Sequence, residues 1–237
     1  PSWEYIPDGE PHVFNGRVYV YGSHDRFNAP IFCVNDYVCW SAPVEDLSEW
    51  RYEGVIYRKK QDPKNPLGYH LLFAPDVCQG PDGRYYLYYA FDFLGIMSVA
   101  VCDTPAGEYK FLGHIHYADG TLWGRRRGDQ LPFDPGVLAD DDGRVWLYSG
   151  FYNAVPAILT GGHKLRCDGG TVLELEKDMV TIKTEPRVIF PKKGPGAFQG
   201  HEFFEASSIR KEGKTYIFVY SSRHNHELCY ATSQSPD

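Results

Sequence analysis

A short phrase occurs four times in this chain: a tight turn with Gly, a basic residue, and then a strand rich in Tyr and other apolar residues. The turn glycines lie 60 to 70 residues apart, and they are Gly16, Gly83, Gly143 and Gly213. Asn-Gly and Asp-Gly turns between apolar segments are typical of β-hairpins, and regular self-similarity indicates a repeat architecture. We therefore predict an all-β fold, a β-propeller in which each repeat is one blade.

Each repeat is interpreted as up to four strands. In the third repeat, Val172–Leu175 and Met179–Ile182 are expected to form a longer outer hairpin, and the fourth repeat ends at Asp237 before a fourth strand begins. We therefore expect residues 1–237 to form a single catalytic propeller domain in which four blades are begun. The natural protein is predicted to continue at its C-terminus by at least one blade, because an open propeller exposes a strand edge.

Composition excludes several classes of partner. The net charge of −7 disfavours nucleic acid, and the run Arg125–Arg127 is an isolated loop feature rather than a basic stripe. No run of 18 apolar residues is present, so we predict no contact with a membrane. The pattern of six cysteines favours buried thiols and a cytoplasmic location. Secretion after removal of a leader stays open, since the first residue is Pro1.

Three acidic residues precede the turns at nearly the same distance. Asp8 and Glu205 lie eight residues before Gly16 and Gly213, and Asp134 lies nine residues before Gly143. Because the blades of a propeller surround one axis, equivalent positions in different blades come close together. We therefore expect the three carboxyls to form one site.

Three carboxyls at one site suit glycoside hydrolysis with inversion. One carboxylate activates water and a protonated carboxyl about 6.5–9.5 Å away protonates the leaving oxygen. A third carboxylate between them raises the pKa of the acid by repulsion between like charges. The apolar neighbours Phe133, Phe203 and Phe204 would lower the local dielectric constant.

The order of these motifs resembles glycoside hydrolase family 43, the five-bladed propeller β-xylosidases, α-L-arabinofuranosidases and arabinanases. Asp8–Tyr19 resembles the family's first motif, Asp134–Gly143 its Asp-Pro block, and Glu205–Tyr216 its Glu block. Phe73–Asp76 resembles a Trp-Ala-Pro-Asp block, with Phe in place of Trp. The resemblance covers essentially the whole chain. It implies a five-bladed propeller, of which the fifth blade is missing here.

The resemblance also implies roles for the acids. Asp8 would be the general base, Glu205 the general acid, and Asp134 the residue that keeps Glu205 protonated and aimed. The seven-residue spacing from Asp8 to Asn15 matches the family, while Glu10, next to Pro11, stays open as a rival base.

Other residues are candidates for sugar contacts. Phe73 and Phe204 could present ring faces to a sugar, and Arg223 could donate to its hydroxyl groups. Three histidines could face the pocket, although a hydrogen-bonded role at the rim or in the core is favoured for each: His201, His224 and His226. The resemblance implies that the chemistry requires no cofactor. It is compatible with a structural calcium at the propeller axis, but it assigns no residue of this chain as a calcium ligand.

We therefore predict an inverting glycoside hydrolase that cleaves terminal or side-chain xylose or arabinose linkages of plant polysaccharides or their oligosaccharides. The alternatives are a non-catalytic sugar-binding propeller and another propeller glycosidase or galactosidase. Sequence does not separate the sugars, because loops at the rim of the pocket decide them.

Overall fold

The computed structural model describes residues 3–191, 198–224 and 226–237, and it folds into four antiparallel sheets. The first sheet contains β1 (Glu10–Phe14), β2 (Arg17–Tyr21), β3 (Tyr37–Pro43) and β4 (Arg51–Tyr57). The second contains β5 (Asp76–Gln79), β6 (Tyr85–Ala90), β7 (Met97–Cys102) and β8 (Lys110–His114). The third contains β9 (Gly136–Ala139), β10 (Val145–Phe151), β11 (Gly169–Leu175) and β12 (Arg187–Pro191). The fourth contains β13 (Phe203–Glu212), β14 (Thr215–Ser222) and β15 (Leu228–Ser233).

The sheets are arranged as propeller blades. Strands follow chain order within each sheet, and the first strands of successive sheets contact one another in the order β1, β5, β9, β13. The predicted all-β propeller with four blades is therefore confirmed. Apart from a 3-10 helix at Lys59–Gln61, the described residues contain no helix, so none of them could cross a membrane as a helix.

Apolar clusters join neighbouring blades. One cluster lies between the first and second sheets, with Tyr21 and Tyr89 fully buried, and another lies between the second and third. Strands β6 and β10 are buried along their whole length because their sheets have a neighbour on each face. By contrast, β14 alternates between buried and partly exposed positions, as expected for a strand with one covered face.

The hairpin predicted in the third repeat is present, because Leu175 and Ile182 form an antiparallel bridge, but its predicted outer position in the blade is wrong. Val172–Leu175 belongs to β11, the third strand, and the outer strand is β12. Met179–Ile182 turns back from the end of β11 and also contacts the second sheet, where Thr181 bridges His116 and the Tyr88 hydroxyl donates to the carbonyl of Met179. Burial of Met179 and Ile182 in the core between the two sheets favours this path over a solvent-facing hairpin.

Candidate active site

Asp8, Asp134 and Glu205 line a single cleft of about 410 Å³. They come from three different blades, as the matching positions in the repeats predict. Much of the rest of the wall is apolar and aromatic, and its phenylalanines are Phe32, Phe73, Phe93, Phe133, Phe151 and Phe204. Three carboxyls thus meet beside a largely apolar wall.

The three acids sit at one end of the innermost strands. Asp8 lies two residues before β1, and Asp134 lies two residues before β9. Both have positive φ angles, 55° and 47°, in a region that residues other than Gly seldom occupy. Glu205 lies at an irregularity of β13, where the register with β14 shifts on both sides of it. Such local distortions are common where a side chain is aimed at a functional site.

Two glycines allow the close approaches that build the cleft. A Cβ atom at Gly22 would lie 2.7 Å from the carbonyl oxygen of Pro7, so only Gly lets the segment before Asp8 pack here. A Cβ atom at Gly136 would lie 2.7 Å from the carbonyl oxygen of Ser207. The absence of a side chain at Gly136 therefore lets β9 approach β13 just below the acids.

Glu205 has the electrostatics of a general acid. Burial, and second the negative charge of Asp8, raise the pKa of Glu205 to about 7. A carboxyl with such a pKa keeps its proton at neutral pH for a substantial part of the time and can still release it in a reaction. Both causes are properties of the folded cleft, because Asp8 and Glu205 are far apart in the sequence.

Asp134 is the most buried of the three acids, with 7% of its surface exposed. Burial, followed by the charges of Glu205 and Asp8, raises the pKa of Asp134 well above its usual range. Its Oδ2 accepts a hydrogen bond of 3.1 Å from the backbone N–H of Ala206, which has a φ of 63°. Asp134 is therefore attached to the backbone directly after Glu205.

Asp8 is held by a residue that the sequence analysis did not identify. The Ser23 hydroxyl, fully buried, donates a hydrogen bond of 2.7 Å to Oδ2 of Asp8. Ser23 begins the loop after β2, which also brings Asp25 and Cys33 to the cleft. No motif marks these residues, and only the position of the loop directly after Gly22 could have drawn attention to Ser23.

Glu10 does not enter the cleft. It is the first residue of β1, and its carboxylate accepts hydrogen bonds from Ser208 and Arg210 instead. Residues two apart on a regular strand point to the same side, but the positive φ of Asp8 places it outside the strand and turns its side chain elsewhere. The geometry thus brings Asp8, rather than Glu10, together with Asp134 and Glu205.

The predicted sugar contacts divide into two groups. Phe73 and Phe204 line the cleft, whereas Arg223 does not. The guanidinium of Arg223 lies over the Tyr152 ring at 5.4 Å and near Glu202 at 3.9 Å. Its predicted contact with a sugar hydroxyl stays a prediction.

Of the three candidate histidines, His226 lines the cleft and packs edge-on against Phe204, with ring centroids 4.6 Å apart. His201 and His224 instead contact Glu227 and Glu202 at 2.9 and 3.0 Å. Their rim role agrees with the structure.

The axis of the propeller does not fit a calcium ion in the described part of the chain. Glu10, His12 and Asp76 bring potential ligand atoms within 4.8 Å of one another. Calcium prefers six to eight oxygen ligands, however, and one of these three groups is an imidazole. Both carboxylates already accept hydrogen bonds from protein donors, as described below.

Comparison with known proteins agrees with the geometry. The model of the family "Glycosyl hydrolases family 43" matches residues 9–237. A "Xylosidase/arabinosidase" of Thermoclostridium stercorarium is 61% identical over 240 residues, which cover 100% of this chain and 49% of that protein. The chain thus spans about half the length of that relative. A "Xylosidase/arabinosidase" of Bacteroides ovatus is 31% identical over 98% of this chain and 75% of its own length.

A solved structure is similar throughout the chain. It is a family 43 β-xylosidase/α-arabinofuranosidase from a compost microbial metagenome, in complex with xylotriose and in a calcium-free form. It is 27% identical with a TM-score of 0.72, and the match covers 98% of this chain and 75% of that one.

Proposed function

The chain belongs to family 43 of the glycosyl hydrolases, and from this premise we propose that it supplies the catalytic centre of an inverting glycoside hydrolase. Its substrates would be terminal or side-chain xylose or arabinose linkages of plant polysaccharides or their oligosaccharides. One observation carries the proposal: carboxyls from three blades share one cleft, and the pKa of one of them, Glu205, is raised to about 7. That pKa matches the task of an acid that works near neutral pH.

In the proposed reaction Asp8 is the general base. Its side chain is exposed to solvent at the cleft, where a water molecule can reach it, and Ser23 fixes one of its oxygens. Asp8 takes a proton from that water as the oxygen attacks the anomeric carbon. Attack from the face opposite to the leaving group gives inversion.

Glu205 is the general acid of the same step. It gives its proton to the glycosidic oxygen while the bond to the anomeric carbon breaks, so that the leaving sugar departs as a neutral alcohol. Because Glu205 must be protonated, the rate is expected to fall as the pH rises through about 7. Asp134 aims Glu205 through the hydrogen bond to Ala206.

The protonation of Glu205 has a cause that differs from the one expected from sequence. Burial and the charge of Asp8 raise its pKa. Asp134, whose own pKa is raised well above its usual range, does not contribute to the shift at Glu205. We therefore assign Asp134 mainly to orientation.

The choice of pentosides follows from the relatives. Both curated relatives carry the name xylosidase/arabinosidase, and the solved neighbour holds xylotriose. In this chain the partly exposed Phe204 offers an apolar ring beside the acids, which suits stacking on a sugar ring, whereas Phe73 is only 7% exposed and packs mainly in the core next to the cleft. All three acids are retained, which favours an enzyme over a non-catalytic sugar-binding propeller. The three carboxyls suffice for the chemistry, so no cofactor is needed.

A screen of the full-length protein on aryl glycosides tests this function. We expect release of the aryl group from β-D-xyloside or α-L-arabinofuranoside and much slower release from β-D-galactoside. Glu205→Gln is the matched control, since it keeps the size of the side chain and removes the proton donor. Preference for the galactoside, or no hydrolysis of any of the three, would contradict the proposal.

We propose that the partner of this chain is an oligosaccharide or polysaccharide and neither a nucleic acid nor a membrane. None of the six cysteines, all within the described ranges, forms a disulfide, in keeping with the proposed cytoplasmic location.

A further inference from the structure

A network of charged groups joins the innermost strands of all four blades below the catalytic acids. It consists of Glu10 and His12 on β1, Asp76 on β5, and Arg210 on β13. Glu10 follows Asp8 by two residues and Arg210 follows Glu205 by five, so the network lies next to the cleft along the same strands. We call these four residues the axial network.

Asp76 connects three blades. It is fully buried, and its Oδ1 lies 2.6 Å from Nε2 of His12 and accepts a hydrogen bond from the backbone N–H of Val77 at 2.7 Å. Its Oδ2 accepts a hydrogen bond of 2.6 Å from the backbone N–H of Val137, the second residue of β9. Both oxygens of Asp76 are therefore engaged by the protein.

Arg210 connects the fourth blade to the first. Its guanidinium donates to Oε1 of Glu10, to the carbonyl oxygen of Pro11 at 2.7 Å, and to the carbonyl oxygen of Ile209 at 2.7 Å. Ser208 also donates to Glu10, at 2.8 Å. One carboxylate and two carbonyl oxygens thus converge on a single positive group, and these are the oxygen types that bind calcium in proteins.

The network also needs a positive charge. Burial, and second the carboxylate of Asp76, raise the pKa of Glu10, while Arg210 and His12 act in the opposite direction. Two carboxyls so close in a buried place repel each other unless a cation lies between or beside them. A bound metal ion or a protein side chain can supply that cation.

We propose that the guanidinium of Arg210 takes the place of a metal ion at the propeller axis, so that this chain joins its blades there without calcium. Arg is suited to the role because it stays charged when partly buried and has five N–H donors in a fixed plane. The inference concerns stability and metal binding. It is independent of the proposed function, because its test uses no substrate.

The experiment removes the positive charge of Arg210 and tests whether calcium then binds at the axial network. Arg210→Met removes the charge and keeps much of the length, whereas Arg210→Lys keeps the charge and is the matched control. Tm is measured for the full-length wild type and each variant in EDTA and in millimolar CaCl₂. The calcium-induced change in the Tm of Glu10→Gln is subtracted from the change measured for each protein. This subtraction removes the effect of calcium bound elsewhere on the protein.

We expect no calcium-induced shift in the wild type or in Arg210→Lys after this subtraction. Arg210→Met should have a lower Tm in EDTA and recover by roughly 5 °C with calcium, the size expected for a ligand that binds only the folded state. Sensitised terbium luminescence should appear in Arg210→Met and disappear in Arg210→Met/Glu10→Gln.

Two results would overturn the inference. One is a calcium-induced rise of the wild-type Tm that Glu10→Gln abolishes, since a metal would then already occupy the axis. The other is an Arg210→Met protein as indifferent to calcium as the wild type. If Arg210→Met fails to fold, terbium binding to the wild type and to Glu10→Gln still decides the question. Terbium bound by the wild type and lost in Glu10→Gln would mean that a metal occupies the axial network and would overturn the inference, whereas equal binding would support it.

Discussion

Asp134 accepts a hydrogen bond of 3.1 Å from the backbone N–H of Ala206, the residue that follows Glu205. The bond crosses from the third blade to the fourth, over 72 positions of sequence. It forms where β9 and β13 approach closely, at Gly136 and Ser207. The backbone that carries Glu205 is therefore held by a second carboxyl from another blade, and this contact supports the orienting role proposed for Asp134.

Replacement of Glu205 should affect substrates according to their leaving groups. We expect Glu205→Ala to lose about 10²–10⁴ in kcat on natural xylosidic or arabinosidic linkages, the usual contribution of general acid catalysis. An aryl glycoside with an acidic phenol should lose much less, because its leaving oxygen needs little protonation. Steady-state kinetics on both substrate types measure the difference. Equal losses would remove Glu205 from the acid role.

The raised pKa of Glu205 has a consequence for stability. A carboxyl whose pKa is higher in the folded state than in the unfolded state adds stability only at low pH. That contribution is lost as the pH rises through the folded value, here from 4.5 towards about 7. Glu205→Gln removes the ionisation, so the variant should gain on the order of 1–3 kcal/mol relative to the wild type at pH 8.

Denaturant unfolding at pH 5 and pH 8 measures this effect. The difference between Glu205→Gln and the wild type should be small at pH 5 and favour the variant at pH 8. A difference independent of pH would mean that Glu205 titrates near its ordinary value.

The general base is assigned to Asp8 and not to Glu10, which lies only two positions later in the sequence. Asp8→Asn should abolish turnover and leave sugar binding nearly intact, because the shape survives and the basicity is lost. Azide should partly rescue Asp8→Gly by attacking in place of the activated water. Glu10→Gln is the comparison, and it should keep turnover, since Glu10 faces Ser208 and Arg210. A dead Glu10→Gln with an active Asp8→Asn would reverse the assignment.

Ser23 should act on the rate through Asp8. Its hydroxyl donates to the Asp8 carboxylate, and a hydrogen bond to a charged group is worth about 1.5–3 kcal/mol. We expect Ser23→Ala to lower kcat roughly 10- to 100-fold with little change in KM, since the bond positions the base and does not touch substrate. Ser23→Thr keeps the hydroxyl and should restore much of the rate. A similar loss in both variants, in step with a loss of stability, would show a role in folding alone.

The repeats allowed much of this structure to be predicted from sequence. Three Asx-Gly turns and the Glu212-Gly213 turn located the first hairpin of each blade, and the nearly equal offsets of Asp8, Asp134 and Glu205 predicted that three distant acids share one cleft. The local sequence pattern was sufficient to predict the strands and the position of the acids, because every blade repeats one strand order.

Features that depend on contacts outside the repeated strand pattern were not predictable. The path of Met179–Ile182 is decided by burial against the second sheet, which a hairpin-like sequence does not reveal. Ser23 carries no motif and gains its role only because Gly22 lets two segments meet. The charge balance at Glu10 likewise depends on Arg210 from the fourth blade, 200 residues away.

The stereochemistry of the first product tests the central claim most directly. Hydrolysis of an aryl β-D-xyloside by the full-length protein can be followed by ¹H NMR, which distinguishes the anomers of xylose before they equilibrate. If Asp8 activates water while Glu205 protonates the leaving oxygen, α-xylose should appear first and the β anomer should follow only by mutarotation. Initial release of β-xylose would mean a covalent intermediate on one of the carboxyls and would contradict the account.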